Sequence, residues 1–151
     1  MKRYLIIIGV TLLALTQTTC REYPENPYRP DAYFNFTINP YTDQRYKALT
    51  VVSGWMYLTS DEYSTSRGII VYRMSMDEFK AYDRLPPNNP YGCCDSDGIC
   101  SRLVVDSPFV VDNCNDIRYN ILDGSIVEGD GVYPLIEYHT IFDGVTLRIY
   151  N

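Results

Sequence analysis

The stretch "GIIVYRMSMDEFKAYDR" runs from Gly68 to Arg84 and contains two short apolar runs separated by a polar turn. The first run, Gly68 to Met74, is rich in β-branched and aromatic residues, which favour strands. The segment "MDEF", from Met76 to Phe79, has turn chemistry, and a second strand is expected from Phe79 to Arg84. The stretch therefore predicts two strands joined by a tight turn.

Similar short runs, rich in Tyr, Val, Ile and Phe, continue on both sides of this stretch, and no long helical periodicity interrupts them. Asp-Gly pairs at 123–124 and 143–144 are strong signals for β-hairpins. A single helical turn is expected only within 41–49. The pattern predicts an all-β domain. The further candidate strands are 33–39, 55–60, 102–106, 108–112, 117–122, 133–142 and 146–151.

The amino terminus has the pattern of a secretory signal peptide, with Lys2 and Arg3 followed by an apolar run from Tyr4 to about Leu15. This run is shorter than the ~20 apolar residues that span a bilayer. Cys20 follows where cleavage would leave it as the first residue, so residues 1–19 are interpreted as the signal peptide and Cys20 as the lipid attachment point. A soluble secreted protein with a late cysteine in its leader is the alternative.

The charge of the chain bears on its partners. Loss of Lys2 and Arg3 from a chain with a formal net charge of −6 leaves a mature chain of −8. Phosphate binding needs basic clusters, and no basic run is present, so nucleic acid is not an expected partner. Direct attraction to an anionic membrane surface is disfavoured for the same reason.

The segment after Cys20, "REYPENPYRPDAY", carries three prolines and many polar residues. This composition is typical of an extended, semi-rigid tether, assigned to residues 20–32. The folded domain is expected from 33 to 151, which is long enough to build a core. The fifteen tyrosines fit strand preference, and an aromatic platform for sugar binding is the functional alternative.

The order of segments resembles the Rieske-type iron–sulfur domain, and in particular the Bacteroidetes-type Rieske-like lipoproteins. The resemblance rests on "GIIVYR...EFKAYDR", a proline-rich loop, "VVDNCNDIRYNILDGSIVEGDGVYPLIEY" and the closing "VTLRIYN", in that order. It covers the chain from "FNFTIN" to Asn151. It implies an antiparallel β-sandwich of small sheets, with residues 84–131 as a degenerate cluster-binding subdomain.

The ligands of a Rieske cluster are not present in this sequence. Such a centre needs two cysteines and two histidines, whereas this chain has one histidine, His139, far from both loops. The resemblance aligns the four ligand positions with Pro86, Asn88, Asp112 and Asn115. The iron–sulfur cluster is therefore expected to be absent, with no metal and no catalytic residue assigned.

Four cysteines lie close together in the sequence: Cys93, Cys94, Cys100 and Cys114. Many Rieske domains place a disulfide cysteine where Cys114 falls, which implies a bond from Cys114 to Cys93 or Cys94, with Cys100 joined to the other. A bond between the two adjacent cysteines would be strained, because their Cα atoms lie ~3.8 Å apart. A single bond between Cys100 and Cys114 is the main competing arrangement.

Other chemistries fit this cysteine cluster less well. Structural zinc sites usually pair cysteines with two to four residues between them, and the Cys-Cys dipeptide departs from that spacing. The sequence "DSDG", Asp95 to Gly98, echoes the start of a calcium loop but lacks its later carboxylates, and it is more typical of an exposed turn. No Cys-x-x-Cys motif and no Ser/His/Asp grouping is present.

Two functions remain open. The first is a non-catalytic lipoprotein, exported and membrane-anchored through Cys20 in the periplasm or at the cell surface, with the outer membrane as the expected membrane. It would serve a binding or assembly role with an envelope protein. The second is a redox or metal-binding protein that uses the four cysteines. The candidate binding residues are Pro87, Asn88, Asn89, Asp112, Asn113 and Asp116, in the loops 86–97 and 112–116.

Overall fold

The computed structural model describes residues 23–31, 33–59 and 67–151. Within these residues the chain forms ten strands and one short 3-10 helix, so the all-β prediction is confirmed. The strands are β1 (Asn35–Ile38), β2 (Trp55–Leu58), β3 (Ile69–Arg73), β4 (Phe79–Asp83), β5 (Val104–Asp106), β6 (Phe109–Asp112), β7 (Ile117–Asn120), β8 (Ile126–Glu128), β9 (Glu137–Phe142) and β10 (Leu147–Tyr150), and the helix is Gln44–Thr50.

The strands form two antiparallel sheets. The first has six strands in the order β1-β10-β9-β4-β3-β2, and the second has four in the order β5-β6-β7-β8. The predicted hairpin of β3 and β4 is confirmed, with Val71 paired to Ala81 and Arg73 to Phe79. Strand β4 pairs on its other side with β9, so the second sheet is an insertion between two neighbouring strands of the first.

Strand β3 is buried along its whole length because both faces of the first sheet are covered. Ile69 and Val71 face one core, which β1, β10 and the 3-10 helix complete. Ile70 and Tyr72 face a second core, shared with the inserted sheet. A strand buried on both faces reads as a continuous apolar run, which explains the sequence "GIIVY".

The inserted sheet is a meander of consecutive hairpins. Val110 of β6 pairs with Val105 on one side and Tyr119 on the other, and these side chains point into the second core. Strand β8 was missed by the sequence analysis, because it is only three residues long and is separated from β7 by a turn at Gly124. Both Asp-Gly pairs lie in hairpin connections, as predicted, with positive φ at Gly124 and Gly144.

The proline-rich segment 23–31 lies on the folded body. The Asn26 side-chain amide donates to the carbonyl of Pro87 at 3.2 Å, and the guanidinium of Arg29 donates to the carbonyl of Glu137 at 3.4 Å. The rings of Tyr28 and Tyr91 meet edge to face, with centroids 6.4 Å apart. Contacts with the body thus begin before residue 33. The predicted signal peptide and Cys20 lie outside the described residues.

Candidate functional site

The two loops singled out in the sequence are covalently joined. A disulfide links Cys93 in the loop 86–97 to Cys114 in the loop 112–116, with Cα atoms 5.8 Å apart. A second disulfide links Cys94 to Cys100. The structure thus gives one of the two pairings that the sequence left open, and it has neither a bond between the adjacent cysteines nor a Cys100–Cys114 bond.

Asn88 is the centre of a hydrogen-bond network beneath these loops. Its side-chain amide nitrogen donates to the Tyr119 hydroxyl at 3.0 Å and to the Tyr133 carbonyl at 2.9 Å. Its side-chain oxygen accepts from the backbone amides of Val132 and Tyr133 at 2.8 and 3.0 Å. Both ends of the Asn88 amide are therefore used, and this one side chain connects β7 to the loop before β9.

Asp112 and Asn115 complete the network from the other loop. The Asp112 carboxylate is fully buried and accepts from the backbone amides of Cys114 and Asn115 at 3.0 and 3.3 Å. The Asn115 side-chain amide donates to that carboxylate and to the backbone carbonyl of Asn88, each at 2.7 Å. Buried polar groups are costly unless they are hydrogen-bonded, and these bonds compensate for their burial.

Tyr119 forms the floor of this site and was not recognised in the sequence analysis. It lies on β7 and is fully buried in the second core, with only its hydroxyl directed at Asn88. Burial raises the pKa of the Tyr119 hydroxyl, and the charge of Asp112 acts in the same direction. The sequence signal for the burial of Tyr119 was the alternation of apolar and polar residues along β7, in which Ile117 and Tyr119 face inward.

A second buried hydrogen bond lies just before the first loop. The Asp83 carboxylate is fully buried at the end of β4, where it accepts from the backbone amide of Leu85 at 2.6 Å and from the hydroxyl of Tyr138 on β9. Burial raises the pKa of the Tyr138 hydroxyl, and the adjacent Asp83 carboxylate raises it further. This pair fixes the point at which the chain leaves the first sheet.

The sequence "DSDG" forms a turn closed by the Cys94–Cys100 disulfide. The carboxylate of Asp95 accepts from the backbone amides of Asp97 and Ile99 at 3.0 and 2.8 Å, and Gly98 has a positive φ. The Asp95 side chain is thus engaged by its own backbone, as in an ordinary Asx turn. Within the described residues, no group of three or more His, Cys, Asp or Glu side chains is arranged to hold a metal ion.

Burial divides the candidate binding residues into two sets. Pro87 and Asp112 are buried and Asn88 is half-buried, so these three support the loops from within. Asn89, Asn113 and Asp116 are exposed, and Asn89 and Asp116 adopt positive φ values of 50° and 52°. Only the exposed set is available to a partner.

The residues that the Rieske resemblance would align with cluster ligands do not fit a two-iron cluster. Such a cluster needs thiolate and imidazole ligands, whereas these positions carry a proline, two asparagines and an aspartate. The Asn115 amide is also engaged by the Asp112 carboxylate and the Asn88 backbone carbonyl, and the Asn88 side chain by Tyr119, Val132 and Tyr133. Pro86 is buried, and His139 is an exposed residue of β9 whose ring lies against Tyr150.

Comparisons with known proteins do not identify a family. No protein-family model matches the chain, and no curated protein or solved structure shows significant similarity to it. Among the helices of the described part of the chain, none is long and apolar enough to cross a membrane. The two disulfides indicate an oxidising, exported environment.

Proposed function

We propose that the protein is an exported, membrane-anchored lipoprotein whose Rieske-like β domain has lost its iron–sulfur cluster and serves a non-catalytic binding or assembly role. In this proposal Cys20 carries the lipid and residues 84–131 are the former cluster-binding subdomain. The inserted four-stranded sheet lies inside that range, which is consistent with the proposed division of the domain.

One observation carries the proposal. Three positions that the resemblance aligns with cluster ligands, Asn88, Asp112 and Asn115, lie together in the structure, where the Asn115 amide donates to the Asp112 carboxylate and to the Asn88 backbone carbonyl. The Cys93–Cys114 disulfide joins the loops on which they lie. A vacated metal site whose polar groups are all hydrogen-bonded within the protein would keep its loops rigid without an ion, and a rigid pair of exposed loops is suited to binding.

The surface available to a partner would be formed by the exposed residues of this end of the domain. These are Asn89, Asn113 and Asp116, together with Val132, whose backbone is held by Asn88 and whose side chain is exposed. This mixture of polar residues around an apolar one has the composition of an ordinary protein interface. An envelope protein is the proposed partner.

Disulfide and metal content test the proposal against the redox alternative. Intact mass of the purified protein should rise by two hydrogens per disulfide on reduction, for both disulfides, with no stoichiometric iron or zinc by elemental analysis. Free thiols at Cys93, Cys94, Cys100 and Cys114, or a bound iron centre in protein purified without air, would instead support a redox or metal-binding function.

The anchor and the binding surface need separate experiments. Labelled palmitate should be incorporated into the wild-type protein and not into Cys20→Ser, which should also leave the membrane fraction. A photo-crosslinking residue at Asn113 should yield an adduct with an envelope protein in living cells. The same residue at Val145, which is exposed in the β9–β10 turn, should not. Absence of adducts from positions 89, 113, 116 and 132 alike would refute the proposed surface.

A further inference from the structure

Three arginines meet at the edge where the inserted sheet joins the first sheet. Arg67 precedes β3, Arg84 follows β4 and Arg102 precedes β5. Backbone hydrogen bonds hold these segments side by side, since the amide of Arg84 donates to the carbonyl of Gly68, and the amide of Leu103 donates to the carbonyl of Arg84, each at 2.9 Å. We call Arg67, Arg84 and Arg102 the arginine surface.

Arg84 is held in a fixed orientation. Its guanidinium lies over the ring of Tyr57, 3.7 Å from the centroid, and its Nε donates to the carbonyl of Leu103 at 3.3 Å. The other edge of the guanidinium makes no hydrogen bond with the described residues. A planar guanidinium positioned in this way presents its outer N–H groups for bidentate binding of a carboxylate.

Arg67 is held in a similar manner. One of its terminal nitrogens donates to the carbonyl of Ser101 at 2.7 Å, and its guanidinium lies 5.8 Å from the centroid of the Tyr91 ring. Arg67 and Tyr91 also line a groove of about 440 Å³ beneath the docked segment 23–31, with Arg29, Tyr28 and Asp31 among its other walls. The arginine surface therefore continues into a concave feature with aromatic walls.

Among the described residues, no ion pair neutralises the positive charges of this surface. In the described parts of the chain, no carboxylate lies within ion-pair distance of Arg67, Arg84 or Arg102. Burial lowers the pKa of both Arg67 and Arg84. Tyr91 and the buried Asp83 partly oppose this shift for Arg67, and Tyr57 partly opposes it for Arg84. The charge of Arg102 is a smaller influence that lowers both pKa values further. An external carboxylate would relieve the repulsion among the three arginines.

We propose that the arginine surface binds a short carboxylate-rich segment of a partner polypeptide. A sugar ring would need an open aromatic face, whereas the Arg84 guanidinium covers the face of Tyr57 and leaves an N–H edge that suits a carboxylate. A long polyanion would be repelled by a mature chain of charge −8, while a short acidic segment meets mainly the local positive field. This inference rests on the proposed binding role and names the chemistry of the partner.

Fluorescence anisotropy of the purified protein with a labelled octaglutamate peptide tests the inference. We expect binding that weakens as salt increases, with no binding of a labelled octaglutamine peptide. Arg102→Gln should weaken octaglutamate binding about fivefold, the size expected for one exposed ion pair. Arg102 makes no hydrogen bond with the described residues, so its substitution should leave folding intact. Arg84→Gln should weaken binding at least as much, because Arg84 is held in place on Tyr57.

Arg45→Gln is the matched control, because Arg45 is an exposed arginine of the 3-10 helix that pairs with Asp43 at 2.8 Å. It should leave the affinity for octaglutamate unchanged. Equal weakening by Arg45→Gln, equal binding of octaglutamine, or tighter binding of an oligogalacturonate would each overturn the inference. Disulfide content and lipid attachment are measured independently, so failure of peptide binding with both intact would refute this inference and leave the proposed scaffold standing.

Discussion

The side-chain amide of Asn115 donates to the backbone carbonyl of Asn88 at 2.7 Å, across 27 residues of sequence. This bond joins the two loops within the protein, while the Cys93–Cys114 disulfide joins them covalently. The loops thus have two independent connections, one polar and one covalent. The hydrogen bond and the disulfide can each be removed by substitution, so the contribution of each one to stability can be measured separately.

Replacement of Asn88 by alanine should destabilise the protein by about 1–3 kcal/mol, because the hydrogen-bond partners of its amide would be left unsatisfied. The amides of Val132 and Tyr133 and the hydroxyl of Tyr119 all lose a partner in this variant. Urea unfolding followed by circular dichroism measures the change. Asn113→Ala is the control, since Asn113 is exposed, and it should change stability little. Equal effects of the two substitutions would contradict the proposed network.

The two disulfides should contribute unequally to stability. They close sequence separations of 21 and 6 residues, and in the chain-entropy picture these correspond to about 3 and 2 kcal/mol. Cys93→Ser/Cys114→Ser should therefore lower the free energy of unfolding more than Cys94→Ser/Cys100→Ser. Denaturant titration of the two double variants, with intact mass to verify the remaining bond, makes the comparison. The reverse order would show that the short turn, not the loop connection, dominates.

The stability of the protein should decrease above pH 10. Burial raises the pKa of Tyr82, Tyr119 and Tyr138 from their ordinary value of 10.0. A raised pKa in the folded state gives stability that is complete below pH ~10 and is lost as the unfolded tyrosine ionises at higher pH. The expected slope is up to about 1.4 kcal/mol per pH unit for each tyrosine. Urea midpoints measured from pH 8 to 11.5 determine this slope.

Substitution of single tyrosines by phenylalanine measures how much each hydroxyl contributes to this pH dependence of stability. The buried Tyr82 hydroxyl has no hydrogen-bond partner among the described residues, whereas the Tyr138 hydroxyl donates to Asp83. Tyr82→Phe should therefore be neutral or stabilising at pH 7, while Tyr138→Phe should cost about 1–3 kcal/mol by leaving Asp83 short of a donor. Both variants should show a shallower loss of stability above pH 10. A destabilising Tyr82→Phe would indicate a partner for that hydroxyl.

Arg73 should tolerate substitution poorly although it is charged. It is almost fully buried at the end of β3, where it donates to the carbonyls of Leu49 and Ser75 at 3.0 and 3.1 Å and lies against the rings of Phe79 and Phe142. Lysine keeps the charge but lacks the planar fork, so Arg73→Lys should lower thermal stability markedly.

The exposed Arg45 provides the comparison for this substitution. Arg45→Lys should have little effect, because an exposed ion pair contributes little to stability. Differential scanning calorimetry of the two variants decides the question. Similar melting temperatures for both would mean that the buried contacts of Arg73 are replaceable by a simple ammonium group.

Strand positions were predictable from sequence because they depend on local patterns. The apolar run of β3 and the Asp-Gly turn at Asp143 needed only propensity and turn chemistry. The docking of segment 23–31 was not predictable, since its proline content indicates an extended chain but not the surface on which that chain lies. Its contacts depend on Pro87 and Glu137, which are distant in sequence.

The candidate site was predictable only in part for the same reason. The loops and the cysteines could be read from spacing, whereas the role of Tyr119 as the floor of the site depends on how β7 packs against β3 and β4 in the second core. The arginine surface was also hidden, because Arg67, Arg84 and Arg102 stand apart in the chain and no charge run marks them. Such clusters arise from sheet topology, which local sequence does not encode.

The pairing of β4 with β9 has a consequence for how this protein can change over generations. The chain leaves the first sheet after Asp83, at the end of β4, and re-enters it at Glu137, at the start of β9. These two strands are adjacent in the sheet, with Tyr138 of β9 paired to Ala81 of β4. The four-stranded sheet is therefore an insertion between β4 and β9, and these two strands pair with each other directly. Its loops can therefore lengthen, shorten or acquire new side chains while the strand order of the host sheet stays the same, provided that Ile70, Tyr72 and Tyr82 remain covered.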